Sequence, residues 1–162
     1  MRDDRTITHL CLVSRALGAE AIVMEEVEKE LRDTMSDVCR SWGGEFEILE
    51  EPSWKKVVMA AKKEGRAVVH LTMYGIPLQD RLNKMRSLDR LLVVVGGPKV
   101  PGEIYGLADF NIAITNQPHS EVAALAILLH ELQEGKELKR KFRDSRIKII
   151  PQNSGKKVEL AH

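Results

Sequence analysis

The chain has 162 residues, 43% of them apolar and 30% charged, with a formal net charge of +1. That length fits a single domain, 1–162, around one core, and the composition excludes a disordered chain. No apolar run is long enough to span a bilayer, and Met1-Arg2-Asp3-Asp4-Arg5 leads into no hydrophobic segment. Neither a membrane span nor a signal peptide is expected, and the expected compartment is the cytoplasm.

The predicted elements alternate between strand and helix. Residues 9–17 have helical spacing and stop at Gly18, a residue suited to follow a helix end. Ala21–Met24 is a short apolar strand. Residues 25–42 form a long charged amphipathic helix closed by Gly43-Gly44, and 46–49 suggest a strand. Ser53 is a candidate N-cap for a helix to residue 63, closed by Gly65. Residues 67–72 are a buried-type strand. Pro77 fits the first position of a short helix reaching about residue 85. Leu91–Val95 is the most apolar strand and breaks at Gly96-Gly97; a short helix, Glu103–Leu107, follows. Residues 111–114 are a strand, and 120–132 the clearest helix, with Ser120 as N-cap and Gly135 beyond its end. Residues 146–150 are a last strand before a short, polar, basic tail. Strands separated by helices predict an α/β fold: a mostly parallel sheet with helices on both faces. Trp42 and Trp54 fall on amphipathic faces and are expected in the core.

Cys11 and Cys39 are far apart and lack the spacing of a metal knuckle or redox pair, so reduced, packed thiols are expected and no metal site. Charge is uneven. Lys136, Lys139, Arg140, Lys141, Arg143, Arg146, Lys148, Lys156 and Lys157 face only Glu137 and Asp144 in their stretch, an excess of seven positive charges. Such a segment suits either a polyanion partner or a solvated lysine-rich surface.

Parallel sheets bind ligands at the carboxyl ends of their strands. Three loops qualify: Thr72-Met73-Tyr74-Gly75, Gly96-Gly97-Pro98-Lys99-Val100-Pro101, and Thr115-Asn116-Gln117-Pro118-His119-Ser120-Glu121. If all three end at one edge, they form one pocket rich in backbone donors and acceptors. The glycine pair lacks the spacing of a dinucleotide loop, and there is no P-loop, nucleophile elbow or His-Glu-x-x-His pair, so hydrolase and NTPase readings have no motif behind them.

The stretches His70-Leu71-Thr72-Met73-Tyr74-Gly75, 95–105, and Ile114-Thr115-Asn116-Gln117-Pro118-His119-Ser120-Glu121-Val122-Ala123-Ala124-Leu125-Ala126 resemble the archaeal tRNA (cytidine(56)-2′-O)-methyltransferases of the SPOUT superfamily. The likeness runs from about Arg2 to about Lys157. It implies a C-terminal trefoil knot, a rare exception to the rules for chain crossings, and a homodimer formed by the alanine-rich helix surface. It also implies S-adenosylmethionine as methyl donor, tRNA rather than DNA as partner, and 2′-O-methylation of the T-loop cytidine. Carried over by motif, the donor pocket would use Leu71, Gly96, Gly97, Pro98, Lys99, Val100, Ile114, Thr115, Asn116, Gln117, Pro118, His119, Ser120 and Glu121.

The superfamily's first motif pairs a polar residue with an arginine six positions on. His9 and Arg15 match that spacing, although asparagine is usual where His9 stands, and Arg15 becomes the candidate catalytic residue. Six helical positions turn roughly 240°, so His9 and Arg15 should not share a face. Pro98 stands where the second motif normally has an acid. The resemblance also implies a strand ending in a Gly-His-Arg-Pro run ahead of the segment that begins at Met1. His119 is expected to hydrogen-bond within its loop, and Tyr74 to stack on a base or pack. Alternative readings are a knotted RNA-binding protein of impaired activity, a SPOUT methyltransferase with another RNA target, and an unrelated nucleotide-binding α/β protein.

Overall fold

The computed structural model describes residues 4–96 and 101–161. Its elements run α1 (Asp4–Ala16), β1 (Ala21–Met24), α2 (Lys29–Trp42), β2 (Glu47–Glu50), α3 (Trp54–Lys63), β3 (Ala67–Pro77), α4 (Leu82–Arg86), β4 (Leu91–Val95), α5 (Glu103–Leu107), β5 (Phe110–Ala113), α6 (Glu121–Gln133), β6 (Ile147–Ile149) and β7 (Val158–Leu160). Parallel pairing dominates, as expected, but the strands do not form one sheet. Hydrogen bonding groups them as a parallel pair β1-β2, a parallel trio in the order β4-β3-β5, and an antiparallel hairpin β6-β7.

The trio is the centre of the molecule. Side chains alternate across β3, so Val69 and Leu71 face one layer and Val68 the other. The first layer packs Ile112 with Ala124, Leu125 and Leu128 of α6, Leu82 and Met85 of α4, and Leu10 and Val13 of α1. The second packs Val68 against Val58 of α3 and Ile104 of α5, with Trp54 alongside. Both faces of the trio are thus covered. Two side-chain caps start helices as the sequence indicates: Ser53 Oγ accepts from Lys56 N (3.4 Å) and Ser120 Oγ from Ala123 N (3.1 Å).

Several boundaries differ from expectation for visible reasons. Helix α2 starts at Lys29 rather than at residue 25, because the Glu50 carboxylate takes the Val27 amide (3.0 Å) and Glu28 is extended. Strand β3 continues to Pro77, so Pro77 ends a strand; a 3-10 turn, Leu78–Asp80, then leads into α4. The tail is not all coil, since β7 returns against β6 with Ile147 opposite Leu160 and Ile149 opposite Val158. Trp42 is 38% exposed and outside the core, whereas Trp54 packs into it. No described helix is long and apolar enough to cross a membrane.

Strand β3 carries an irregularity that matters below. Leu71 and Ile76 both lie opposite Ile112 of β5, so residues 72–75 bulge from the regular ladder.

Candidate active site

The ends of β3, β4 and β5 converge on one cavity of about 540 Å³. Its wall takes His70, Leu71, Thr72, Met73 and Tyr74 from β3, Val95 and Gly96 from β4, and Ile112 and Ile114 from β5 and just beyond. Pro118, His119, Glu121 and Ala124 from the loop and start of α6, with Tyr105 of α5, complete it. Of the expected pocket residues, Leu71, Gly96, Ile114, Pro118, His119 and Glu121 are therefore together. Thr115, Asn116, Gln117 and Ser120 belong to the same loop without lining the wall. Gly97, Pro98, Lys99 and Val100 lie outside the described residues.

Each loop member has a local reason for its place. Asn116 donates through Nδ2 to the carbonyls of Met73 (2.7 Å) and Gly75 (3.2 Å), tying the third loop to the β3 bulge. His119 Nδ1 lies 2.6 Å from the Gln117 carbonyl, so it carries the proton and holds a tight turn. Glu121 opens α6, where the helix dipole favours a carboxylate. Among the described lining residues Glu121 is the only acid, and no lysine or arginine joins it.

His70 is 1% exposed in the middle of β3. Asn111 fixes its tautomer. The Asn111 Nδ2 group donates to the Tyr105 carbonyl (2.9 Å), which turns Oδ1 toward His70 Nδ1, also at 2.9 Å. Nδ1 must then bear the hydrogen, leaving a lone pair on Nε2. Nε2 is buried and has no hydrogen-bond partner. Burial holds the imidazole pKa below its ordinary 6.5, against the opposing Asn111 hydrogen bond, so the ring is a neutral acceptor. Tyr105 meets His70 edge-on at 4.8 Å and shares a 2.8 Å hydrogen bond with the Thr72 hydroxyl. Neither His70 nor Tyr105 is among the site residues expected from the sequence. The available signal was one polar, titratable residue inside the apolar run 67–71.

Arg15 stands outside this wall. It is 8% exposed at the end of α1, while His9 is exposed, so the two do not share a face. The Arg15 guanidinium donates to the Gly43 carbonyl and lies over the Phe142 ring, 4.6 Å from its centroid. Arg15 Nε is buried without a partner, and among the described residues no carboxylate pairs with it.

Phe142 belongs to a strap formed by residues 140–146. Arg140 approaches the same ring (5.9 Å) and donates to the Gly18 carbonyl (3.2 Å). The strap also offers the Arg143 carbonyl to Gly44 N and the Arg146 amide to Ser41 O, at 2.8 and 3.0 Å. All nine basic residues of the C-terminal stretch are exposed, whereas Glu137, one of its two acids, is buried against His130. The acid left exposed among them is Asp144.

Comparison with known proteins agrees with this geometry. Residues 42–159 match the family described as tRNA ribose 2'-O-methyltransferase, aTrm56. The chain is 49% identical over 160 residues, 99% of its own length and 90% of the relative's, to the tRNA (cytidine(56)-2'-O)-methyltransferase of Nitrosopumilus maritimus (strain SCM1). It overlays an RNA 2'-O ribose methyltransferase with a TM-score of 0.58 at 13% identity, covering 84% of this chain and 54% of that one. The SpoU methyltransferase AviRb from Streptomyces viridochromogenes, solved in complex with the cofactor AdoMet, gives 0.55 at 16% identity, covering 82% of this chain and 54% of that one. The chain thus spans about half the length of both solved structures, which share its fold. Fold, strand-end cavity and near full-length identity agree: the chain belongs to the tRNA ribose 2′-O-methyltransferases.

Proposed function

We propose that the chain transfers a methyl group from S-adenosylmethionine to the 2′-hydroxyl of the tRNA T-loop cytidine, the reaction that names its relatives. The observation that carries this reading is the convergence of three strand ends on one cavity in a chain of that family.

The residues present fit such a donor. Glu121 suits a ligand bearing sulfonium and ammonium charges. His70 Nε2 offers a buried lone pair to a ligand N–H or O–H; an acceptor left unfilled there costs about 1–3 kcal/mol. Leu71, Gly96 and the loop 114–121 supply backbone groups, and Gly97, Pro98, Lys99 and Val100 complete the set in this proposal. When bound, the donor supplies an electrophilic methyl on a positively charged sulfur. The chain's part is to hold the ribose oxygen in line with that methyl.

Arg15 is the proposed catalytic residue, acting across a two-fold homodimer on the cavity of the partner. It lies outside its own cavity wall, and no carboxylate among the described residues neutralises it. Its guanidinium offers only donors, so its part is to grip a phosphate or stabilise the forming alkoxide. The C-terminal trefoil knot belongs to the same reading. The order β4-β3-β5 sets two later strands on either flank of β3, an arrangement compatible with a threaded segment.

The test is transfer of labelled methyl from S-adenosylmethionine to an unmodified tRNA transcript, with the modified ribose mapped. Transfer to the T-loop cytidine is expected. Tight tRNA binding without transfer would replace this reading with that of an RNA-binding protein of impaired activity.

A further inference from the structure

The chain has two tyrosines, and the fold treats them oppositely. Tyr105 is built in: its hydroxyl bonds to Thr72 and its ring edge meets His70. Tyr74, on the wall of the same cavity, is 79% exposed, the most exposed large hydrophobic residue among those described. A large aromatic surface left in water is costly, at about 25 cal/mol per Å² of apolar area.

The backbone beneath Tyr74 is fixed on every side. It lies in the bulge between the two residues that share Ile112 as partner. Asn116 Nδ2 grips the carbonyls immediately before and after it, those of Met73 and Gly75. Its own amide donates to Thr72 Oγ1 (3.3 Å). Gly75 presses directly on β5, where a Cβ would stand 2.5 Å from the Asn111 carbonyl oxygen and 2.6 Å from Ile112 N. A clamped backbone carrying a bare aromatic ring at a ligand cavity presents that ring rather than stores it.

We propose that the Tyr74 ring stacks on the nucleobase of the nucleotide whose ribose is methylated, fixing that nucleotide over the cavity. This inference rests on the RNA-methylating function proposed above. Every base has a π-face, and stacking on an aromatic ring contributes about 1–3 kcal/mol per base. Such a contact positions the sugar without reading the base by hydrogen bonds.

The experiment measures tRNA binding by anisotropy and S-adenosylhomocysteine binding by calorimetry for the full chain, Tyr74→Phe and Tyr74→Ala. Each is also tested on a tRNA with an abasic ribose at the target position. Tyr74→Ala should weaken binding of intact tRNA by roughly 5- to 150-fold, the range that stacking energy gives. Tyr74→Phe should stay within about twofold of the parent, and both variants should still bind S-adenosylhomocysteine, which shows that the cavity is formed. On the abasic tRNA the parent and Tyr74→Ala should become equal. Three outcomes overturn the proposal: a Tyr74→Ala deficit that persists on the abasic tRNA, a Phe variant as weak as Ala, or a tRNA affinity indifferent to position 74. A parent chain that binds no tRNA sinks the function itself and this contact with it. A parent that binds tRNA with position 74 indifferent sinks the contact alone.

Discussion

Replacing Gly43 by alanine tests how the C-terminal strap is held. Gly43 has φ 77° and ψ −177°, a region closed to side chains, where a non-glycine residue costs about 1–3 kcal/mol. Its new Cβ would stand 2.7 Å from Ser145 N and closer still to the Arg143 carbonyl. Both are backbone atoms, so no rotamer change relieves the overlap and the strap must retreat. That retreat breaks the Gly44 N to Arg143 O hydrogen bond (2.8 Å), about another 1 kcal/mol. The total is about 2–4 kcal/mol, a large share of the 5–15 kcal/mol that keeps a domain folded. Gly65 supplies the control, because it has φ +76° with nothing within 4 Å of a built Cβ. Gly65→Ala should cost only the left-handed strain, about 1–2 kcal/mol. The assay is urea denaturation of both variants beside timed tryptic cleavage at Arg143 and Arg146. Gly43→Ala should lose clearly more stability than Gly65→Ala and be cut faster in the strap. Equal losses with unchanged cleavage would refute the claim that the strap is seated on this glycine pair.

Three further outcomes are expected. Cys11 is fully buried and its thiol is pushed up to about 11 by burial, against a backbone hydrogen bond, so native protein should show slow labelling there, with Cys39 reacting first; rapid labelling of Cys11, read by peptide mass, would contradict that burial. Ser120→Ala removes the cap on Ala123 N and should cost about 1 kcal/mol in urea melts, with unaltered stability arguing against the cap. Because the His70 pKa is lowered in the folded state, the unfolded chain takes up a proton there first as pH falls below the ordinary 6.5. His70 should therefore contribute stability that is full above about 6.5 and lost progressively at lower pH. Urea melts at falling pH should show a smaller decline for His70→Asn than for the parent, and parallel curves would contradict the assignment.

Much of this architecture is legible from residues because local signals and tertiary structure agree. β1, β4 and α5 fall where predicted; β1 and β4 are apolar runs, β4 ending at a glycine pair in the sequence, and both serine caps act as their side chains allow. The meeting of three strand ends follows from strand direction alone once the strands are parallel. What stayed hidden depends on partners distant in sequence. The start of α2 is decided by Glu50, and the continuation of β3 by the close approach of Gly75 to β5. Strand β7 exists because β6 offers it an edge. Arg15 looks from its helix like a solvent-facing residue; its buried contacts are with Gly43 and Phe142, 28 and 127 positions away.

The strap has a practical consequence for anyone dissecting RNA binding in this chain. Deleting the lysine-rich end would not be a pure charge deletion, because Phe142 would leave with it and uncover Arg15. Loss of charge and displacement of Arg15 would then come together and be indistinguishable. Neutralising Lys148, Lys156 and Lys157 one by one removes charge from the exposed hairpin and its turn while the anchor stays put. Affinity and arginine placement become separable only at that resolution.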